Sequence, residues 1–253
     1  MIRKSAFFVS LIVVIAFLSP ATADVVKFKN LSAELSKPTG EGLFPAIVLL
    51  HGCTGITPSY DAWIKRLVSW NYVTLMLDSF GPRGIKDDCS HPFHIPLETR
   101  VQEAYAAKSY LAETNYVDPT KIAVMGWSYG GVATTYAVTT AKEVPKSEQP
   151  FGAGIAFYPG CHTIRASLNA PLLILIGEKD DWTTVRRCKA LKKSLLKKKS
   201  DHELILKVYT NTYHAFDIEG MNRKVRGHQL KYNPEAAADA IEQVKGFLGK
   251  HMQ

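Results

Sequence analysis

Six apolar runs recur along the chain: AIVLL (46–50), YVTLML (72–77), KIAVM (121–125), GAGIAFY (152–158), PLLILI (171–176) and ELILKVY (203–209). They are largely unbroken rather than alternating, which is the pattern of strands covered on both faces. Between them, apolar residues at helical spacing predict helices over 59–70, 97–114, 128–140, 184–198 and 235–250. The last helix opens in YNPEAAADA, a proline near its start followed by strong helix formers. Repeated strand–helix units imply a mostly parallel, doubly wound sheet flanked by helices. The segment VVKFKNLSAELSKP (25–38) predicts an antiparallel hairpin at the sheet edge. No internal repeat or low-complexity linker divides the chain, so residues 24–253 read as one α/β domain.

The first 23 residues fall outside this pattern. Arg3 and Lys4 precede an apolar stretch over 6–18, and Ala21-Thr22-Ala23 forms an A-x-A cleavage site. That is a signal peptide, with cleavage expected before Asp24 and export to the periplasm or beyond. The stretch is short for a bilayer span, and no later segment is long and apolar enough to make one. Export makes the four cysteines, Cys53, Cys89, Cys161 and Cys188, read as two disulfides. Of the three possible pairings, Cys53–Cys89 with Cys161–Cys188 is preferred, because each pair joins neighbouring loops at one end of the sheet. No C-x-x-C or close Cys/His spacing points to zinc, so no metal or cofactor is expected.

The formal net charge is +8, and the densest basic run is KALKKSLLKKKSDH (189–202). Its leucines fall at helical spacing, which reads as a solvated helix face. No aromatic residues interleave with the lysines to stack bases, so nucleic acid is not expected as a partner. An anionic polymer stays open as a use for the basic surface.

In an open parallel sheet, ligands bind beyond the carboxyl ends of the strands, so chemistry belongs in the loops after the apolar runs. After KIAVM comes Gly126-Trp127-Ser128-Tyr129-Gly130, a G-x-S-x-G elbow whose small flanking residues let a strained serine stand between strand and helix. After PLLILI comes GEKDDW, which supplies Asp180 as the triad acid in preference to Asp181, with the other aspartate capping the next helix. After ELILKVY comes TNTYHAFD, which places His214 as the base. The order Ser, Asp, His is that of an α/β-hydrolase. After AIVLL comes His51-Gly52-Cys53-Thr54-Gly55. The amides of Cys53 and Tyr129 are the candidate oxyanion donors.

Arg83, in the loop after YVTLML, is a candidate for binding a substrate carboxylate, or for bonding loop carbonyls, Asp87 or Asp88. Trp127, beside the nucleophile, is a candidate for the substrate pocket; like Trp182 and Tyr213, it stays open between pocket and core. His91 and His94 lie in a mid-chain loop and at most line the pocket.

Together these segments resemble the dienelactone hydrolase family of α/β-hydrolases, above all its exported members. FPAIVLLHGCTG, LDSFGPRG, VDPTKIAVMGWSYGG, LLILIGEKDDW, YHAF and YNPEAAADA fall in family order and at family spacing. The resemblance implies an α/β-hydrolase fold without a large lid and a triad of Ser128, Asp180 and His214. Two positions depart from it. Dienelactone hydrolase itself carries cysteine at the elbow, where this chain has Ser128. It also carries an arginine just after its catalytic histidine, paired with the one matched by Arg83; here HAFDIEG offers Asp217, and the nearest arginine is Arg223.

The expected function is therefore an exported serine hydrolase of small-molecule carboxylic esters or lactones, most simply a monomer. The alternatives are a catalytically silent binding protein of the same fold and a small serine peptidase.

Overall fold

The computed structural model describes residues 24–90, 94–146, 148–198 and 200–252; the proposed signal peptide and His91 lie outside them. Eight strands form the main sheet: β1 (Asp24–Phe28), β2 (Leu31–Ser36), β3 (Phe44–Leu50), β4 (Val73–Asp78), β5 (Val117–Trp127), β6 (Gly154–Phe157), β7 (Leu172–Gly177) and β8 (Leu204–Tyr209). Their order is β1-β2-β4-β3-β5-β6-β7-β8. The β1–β2 hairpin joins antiparallel at one edge, through β2 on β4, and every other pairing is parallel. This is the α/β-hydrolase arrangement, and no lid domain is present among the described residues.

The unbroken apolar runs are explained by what covers them. The helices are α1 (Asp61–Ser69), α2 (Leu97–Ala112), α3 (Tyr129–Ala137), α4 (Val185–Leu196) and α5 (Pro234–His251). α2 and α3 pack on each other and on β3 and β5, and α4 packs on β7 and β8. α1 lies against β4, α5 against β7, and Lys245 of α5 sits over the Trp70 ring at the end of α1. Strands β4, β6 and β7 are accordingly buried almost throughout, as is β5 from Ile122 to Trp127. At the start of α5, Asn233 accepts the Ala236 N–H at 3.1 Å and caps the helix at the proline read from the sequence.

Several elements differ from expectation. The helix predicted from residue 128 begins at Tyr129, because Ser128 has φ 51° and ψ −112° and stands outside it. The strand predicted over 152–158 contracts to Gly154–Phe157, since Tyr158 turns away at φ 34°. A second hairpin, β9 (Asn222–Val225) with β10 (His228–Lys231), was not predicted. Its strands, NRKV and HQLK, are polar and mostly exposed, so no apolar run marks them. Their two-residue turn does carry a signal: Arg226 and Gly227 both have positive φ, 50° and 87°, as tight hairpin loops require.

Both preferred disulfides are formed, Cys53–Cys89 and Cys161–Cys188, spanning 36 and 27 residues of sequence. Closing loops of that length restricts the unfolded chain by about 3.5–4 kcal/mol each. Replacing Cys161 and Cys188 together by alanine is expected to lower the unfolding free energy by about that amount. Urea denaturation without reductant would show it as a reduced midpoint, and an unchanged midpoint would contradict it.

Candidate active site

Ser128 is gripped from both sides by backbone. Its N–H extends the β5–β6 ladder to Phe157 O at 2.9 Å, and its carbonyl accepts Val132 N–H at 3.0 Å to open α3. The positive φ between these anchors stores about 1–3 kcal/mol of strain. Two glycines make the turn possible. A Cβ on Gly130 would collide with the carbonyls of Leu50 and His51, and one on Gly126 would collide with the Gly130 carbonyl. The start of α3 is thus wedged against the end of β3, where the Cys53 loop begins.

The three loops named from sequence converge on this serine. His214 Nε2 lies 3.1 Å from Ser128 Oγ, and His214 Nδ1 lies 2.7 Å from Asp180 Oδ2. The second histidine contact needs a proton on Nδ1, which leaves Nε2 free to accept from the serine hydroxyl. Asp180 is buried, and its Oδ1 accepts the N–H groups of Trp182 at 3.0 Å and Thr183 at 2.8 Å. Thr183 Oγ1 stands 2.8 Å from Asp180 Oδ2 and 3.2 Å from His214 Nδ1, a bridging residue that sequence reasoning missed.

The acid and base loops are tied to each other: Lys179 N–H donates to Thr212 O at 2.8 Å, and a Cβ on Gly177 would strike that carbonyl. The β9–β10 hairpin braces the base loop through Lys231 N–H to His214 O at 3.1 Å. Asp181 does not cap α4. It is exposed and lies 3.3 Å from His228 Nδ1, while Thr184 occupies the cap position.

The proposed oxyanion residues rest on a buried polar frame. The disulfide joins Cys53 to Cys89, and Asp88 N–H donates to Cys53 O at 2.8 Å. Asp88 in turn accepts His94 N–H at 2.7 Å and Ile95 N–H at 3.1 Å. Tyr129, the first residue of α3, donates its hydroxyl to Ile95 O at 2.6 Å, so one loop steadies both residues. Beneath them, Arg100 of α2 is fully buried and donates to His51 O at 2.8 Å. The His51 ring donates from Nδ1 to Gly52 O at 2.7 Å and accepts Ser79 N–H on Nε2 at 3.3 Å. That pattern is the neutral imidazole. Burial, and then the Arg100 charge, hold its pKa well below the ordinary 6.5.

A cavity of about 450 Å³ opens on Ser128 and His214. Trp127, Tyr158, Trp182, Ile218, Met221, Val225 and Leu230 give it apolar walls, with Glu219 and Arg223 also in its lining. Arg83 is not in this lining and takes up the loop-carbonyl alternative. Its Nη1 donates to Ser79 O at 2.7 Å and its Nη2 pairs with Glu103 of α2 at 2.6 Å, so it serves the loop rather than the cavity. Neither His94 nor Tyr213 lines the cavity.

Trp127 does line it, and its indole also donates to Asp217 Oδ2 at 3.0 Å. Trp63 Nε1 donates to the same oxygen at 2.9 Å, and Tyr158 Oη donates to Oδ1 at 2.8 Å. Asp217 thus uses the place after the base to tie the elbow, α1 and the ring packed on His214. Its burial raises its pKa against the pull of those three donors.

The model of the dienelactone hydrolase family matches residues 31–252. A probable 2-oxo-3-(5-oxofuran-2-ylidene)propanoate lactonase from a Bradyrhizobium species is 24% identical over 235 residues, covering 87% of this chain and 89% of that protein. The quorum-quenching protein AidA of Acinetobacter baumannii (strain MDR-ZJ06) is 29% identical over 129 residues, 49% of this chain and 41% of its own length. Among solved structures, a dienelactone hydrolase-like promiscuous phosphotriesterase from metagenomic libraries superposes with TM-score 0.76 at 17% identity, covering 92% of this chain and 99% of its own. Thermogutta terrifontis esterase 2 phosphoramylated by tabun does so with TM-score 0.68 at 18% identity, covering 91% and 94%.

The buried neutral His51 yields a pH prediction. Unfolding releases an imidazole that binds a proton below about pH 6.5, whereas the native one does not. Its contribution to stability is complete above that pH and falls as the pH drops toward the folded pKa, by up to about 1.4 kcal/mol per unit. His51→Gln is expected to flatten the fall in unfolding free energy between pH 7.5 and 5.5, measured by chemical denaturation. Parallel profiles for variant and wild type would contradict this.

Proposed function

The chain belongs to the dienelactone hydrolase family, hydrolases of the ester and lactone type, and we propose that it is an exported enzyme working through an acyl-serine intermediate. The observation that carries this reading is the unbroken contact chain from Asp180 Oδ2 through both ring nitrogens of His214 to Ser128 Oγ, with steps of 2.7 and 3.1 Å. A silent binding protein would have no use for a strained serine held in register with an oriented base.

Ser128 Oγ attacks the substrate carbonyl while His214 Nε2 takes the hydroxyl proton, and Asp180 stabilises the resulting imidazolium. The amides of Cys53 and Tyr129 hold the oxyanion. His214 then delivers the proton to the leaving alcohol, and a water repeats the sequence to free the acid. The aromatic and aliphatic cavity wall suits an apolar acyl or alcohol group, and Arg83, turned to Glu103, holds no carboxylate there. The substrate is thus a small ester or lactone with an apolar group beside its reacting carbonyl. Two disulfides among the described residues favour an oxidising compartment, and no described helix is long and apolar enough to cross a membrane.

The esterase captured with an organophosphorus adduct suggests the probe. Intact-mass analysis after a fluorophosphonate is expected to show one adduct on wild type and none on Ser128→Ala. Asp180→Asn is expected to lower kcat on p-nitrophenyl acetate by about 10³–10⁴-fold through loss of the correct histidine tautomer. A folded wild-type protein that takes no adduct would overturn the serine reading.

A further inference from the structure

Tyr60 closes the short turn Pro58–Tyr60 and is only 6% exposed, yet it lines the cavity beside Ser128. Its ring packs against Trp127, with centroids 4.9 Å apart. Its oxygen accepts the Gly52 N–H at 2.9 Å. A phenol has one proton, and a lone pair occupied by Gly52 turns that proton away from the loop. Among the described residues no acceptor takes it. A buried donor without a protein partner is costly unless something else meets it.

The position of that donor is informative. A Cβ placed on Gly52 would lie 3.5 Å from Tyr60 Oη and 3.5 Å from Ser128 Cβ. The hydroxyl and the nucleophile therefore border the same glycine, the residue directly before Cys53. We propose that the Tyr60 hydroxyl is a catalytic residue, a third donor to the oxyanion beside the Cys53 and Tyr129 amides. The inference rests on the acyl-serine reading above.

As the Ser128 Oγ–carbon bond forms, the hydroxyl proton passes to His214 Nε2 and the carbonyl π pair moves onto oxygen. Tyr60 donates a hydrogen bond to that oxygen and keeps its own proton. On collapse the pair re-forms the carbonyl, the carbon–leaving-group bond breaks, and the departing oxygen takes the proton from His214. Burial suits Tyr60 to this task, raising its pKa to about 12 so that the donor stays protonated across the working range. The same oxygen also holds Gly52, so one side chain both aims the loop and completes the site it forms.

The test is Tyr60→Phe alongside 3-fluorotyrosine incorporated at position 60, with p-nitrophenyl acetate as substrate and thermal melting as the check on folding. Phenylalanine keeps the ring and removes the donor, and kcat is expected to fall about 10²-fold with KM changed less than about two-fold. Fluorine makes the hydroxyl a stronger donor and a weaker acceptor, so kcat of that variant is expected to rise by about two-fold. A fluorotyrosine kcat at or below wild type would reduce Tyr60 to holding Gly52 and overturn the proposal. So would a phenylalanine variant within about three-fold of wild type. Fluorophosphonate labelling of the same wild-type preparation separates the two levels: without an adduct the acyl-serine reading itself fails, whereas with one only the role of Tyr60 is at stake.

Discussion

The site depends on how closely α3 approaches the end of β3. Gly130 lies so near the carbonyls of Leu50 and His51 that no side chain fits between them. That contact fixes the first turn of α3, and hence the Tyr129 amide, relative to the loop that carries Gly52 and Cys53. It also forces Ser128 into its positive-φ turn, because strand β5 must reverse into the helix within one residue. Packed backbone does not relax into water, so the strain at Ser128 is held by the surroundings.

The rest of the architecture keeps that contact from drifting. Arg100 reaches up from α2 to the His51 carbonyl, one of the two that press on Gly130. The Cys53–Cys89 bridge and the Asp88 carboxylate hold the opposite side of the loop. Across the cavity, Asp217 gathers Trp63, Trp127 and Tyr158, and Tyr158 packs on His214. One carboxylate thus ties three elements of the fold together. The cavity that results is walled by aromatic and aliphatic side chains.

Much of this was legible in the sequence. Buried parallel strands must be apolar on both faces, so AIVLL, KIAVM and PLLILI announced the sheet, and its strand ends located Ser128, Asp180 and His214. What escaped was set by long-range pairing. Trp63 and Asp217 meet across 154 positions, and nothing local in DAWIKR or HAFDIEG records it. Arg83 looked available because its partner, Glu103, belongs to a helix whose facing could not be read from the loop. The β9–β10 hairpin escaped because its strands face water, although its Arg-Gly turn left a trace. Tyr60 sits eight residues beyond Gly52 in HGCTGITPSYDAW, and only the folded turn brings its hydroxyl back to that amide.

If turnover passes through a covalent bond to Ser128, rapid-quench mass spectrometry detects that bond directly. The enzyme would be mixed with excess p-nitrophenyl acetate, quenched in acid within the first turnover and digested. An acetyl group is expected on the peptide containing Ser128, appearing with the burst of p-nitrophenol and disappearing as substrate is exhausted. Steady hydrolysis with no burst, and with the acetyl group never found on that peptide, would contradict it and point to direct attack by water.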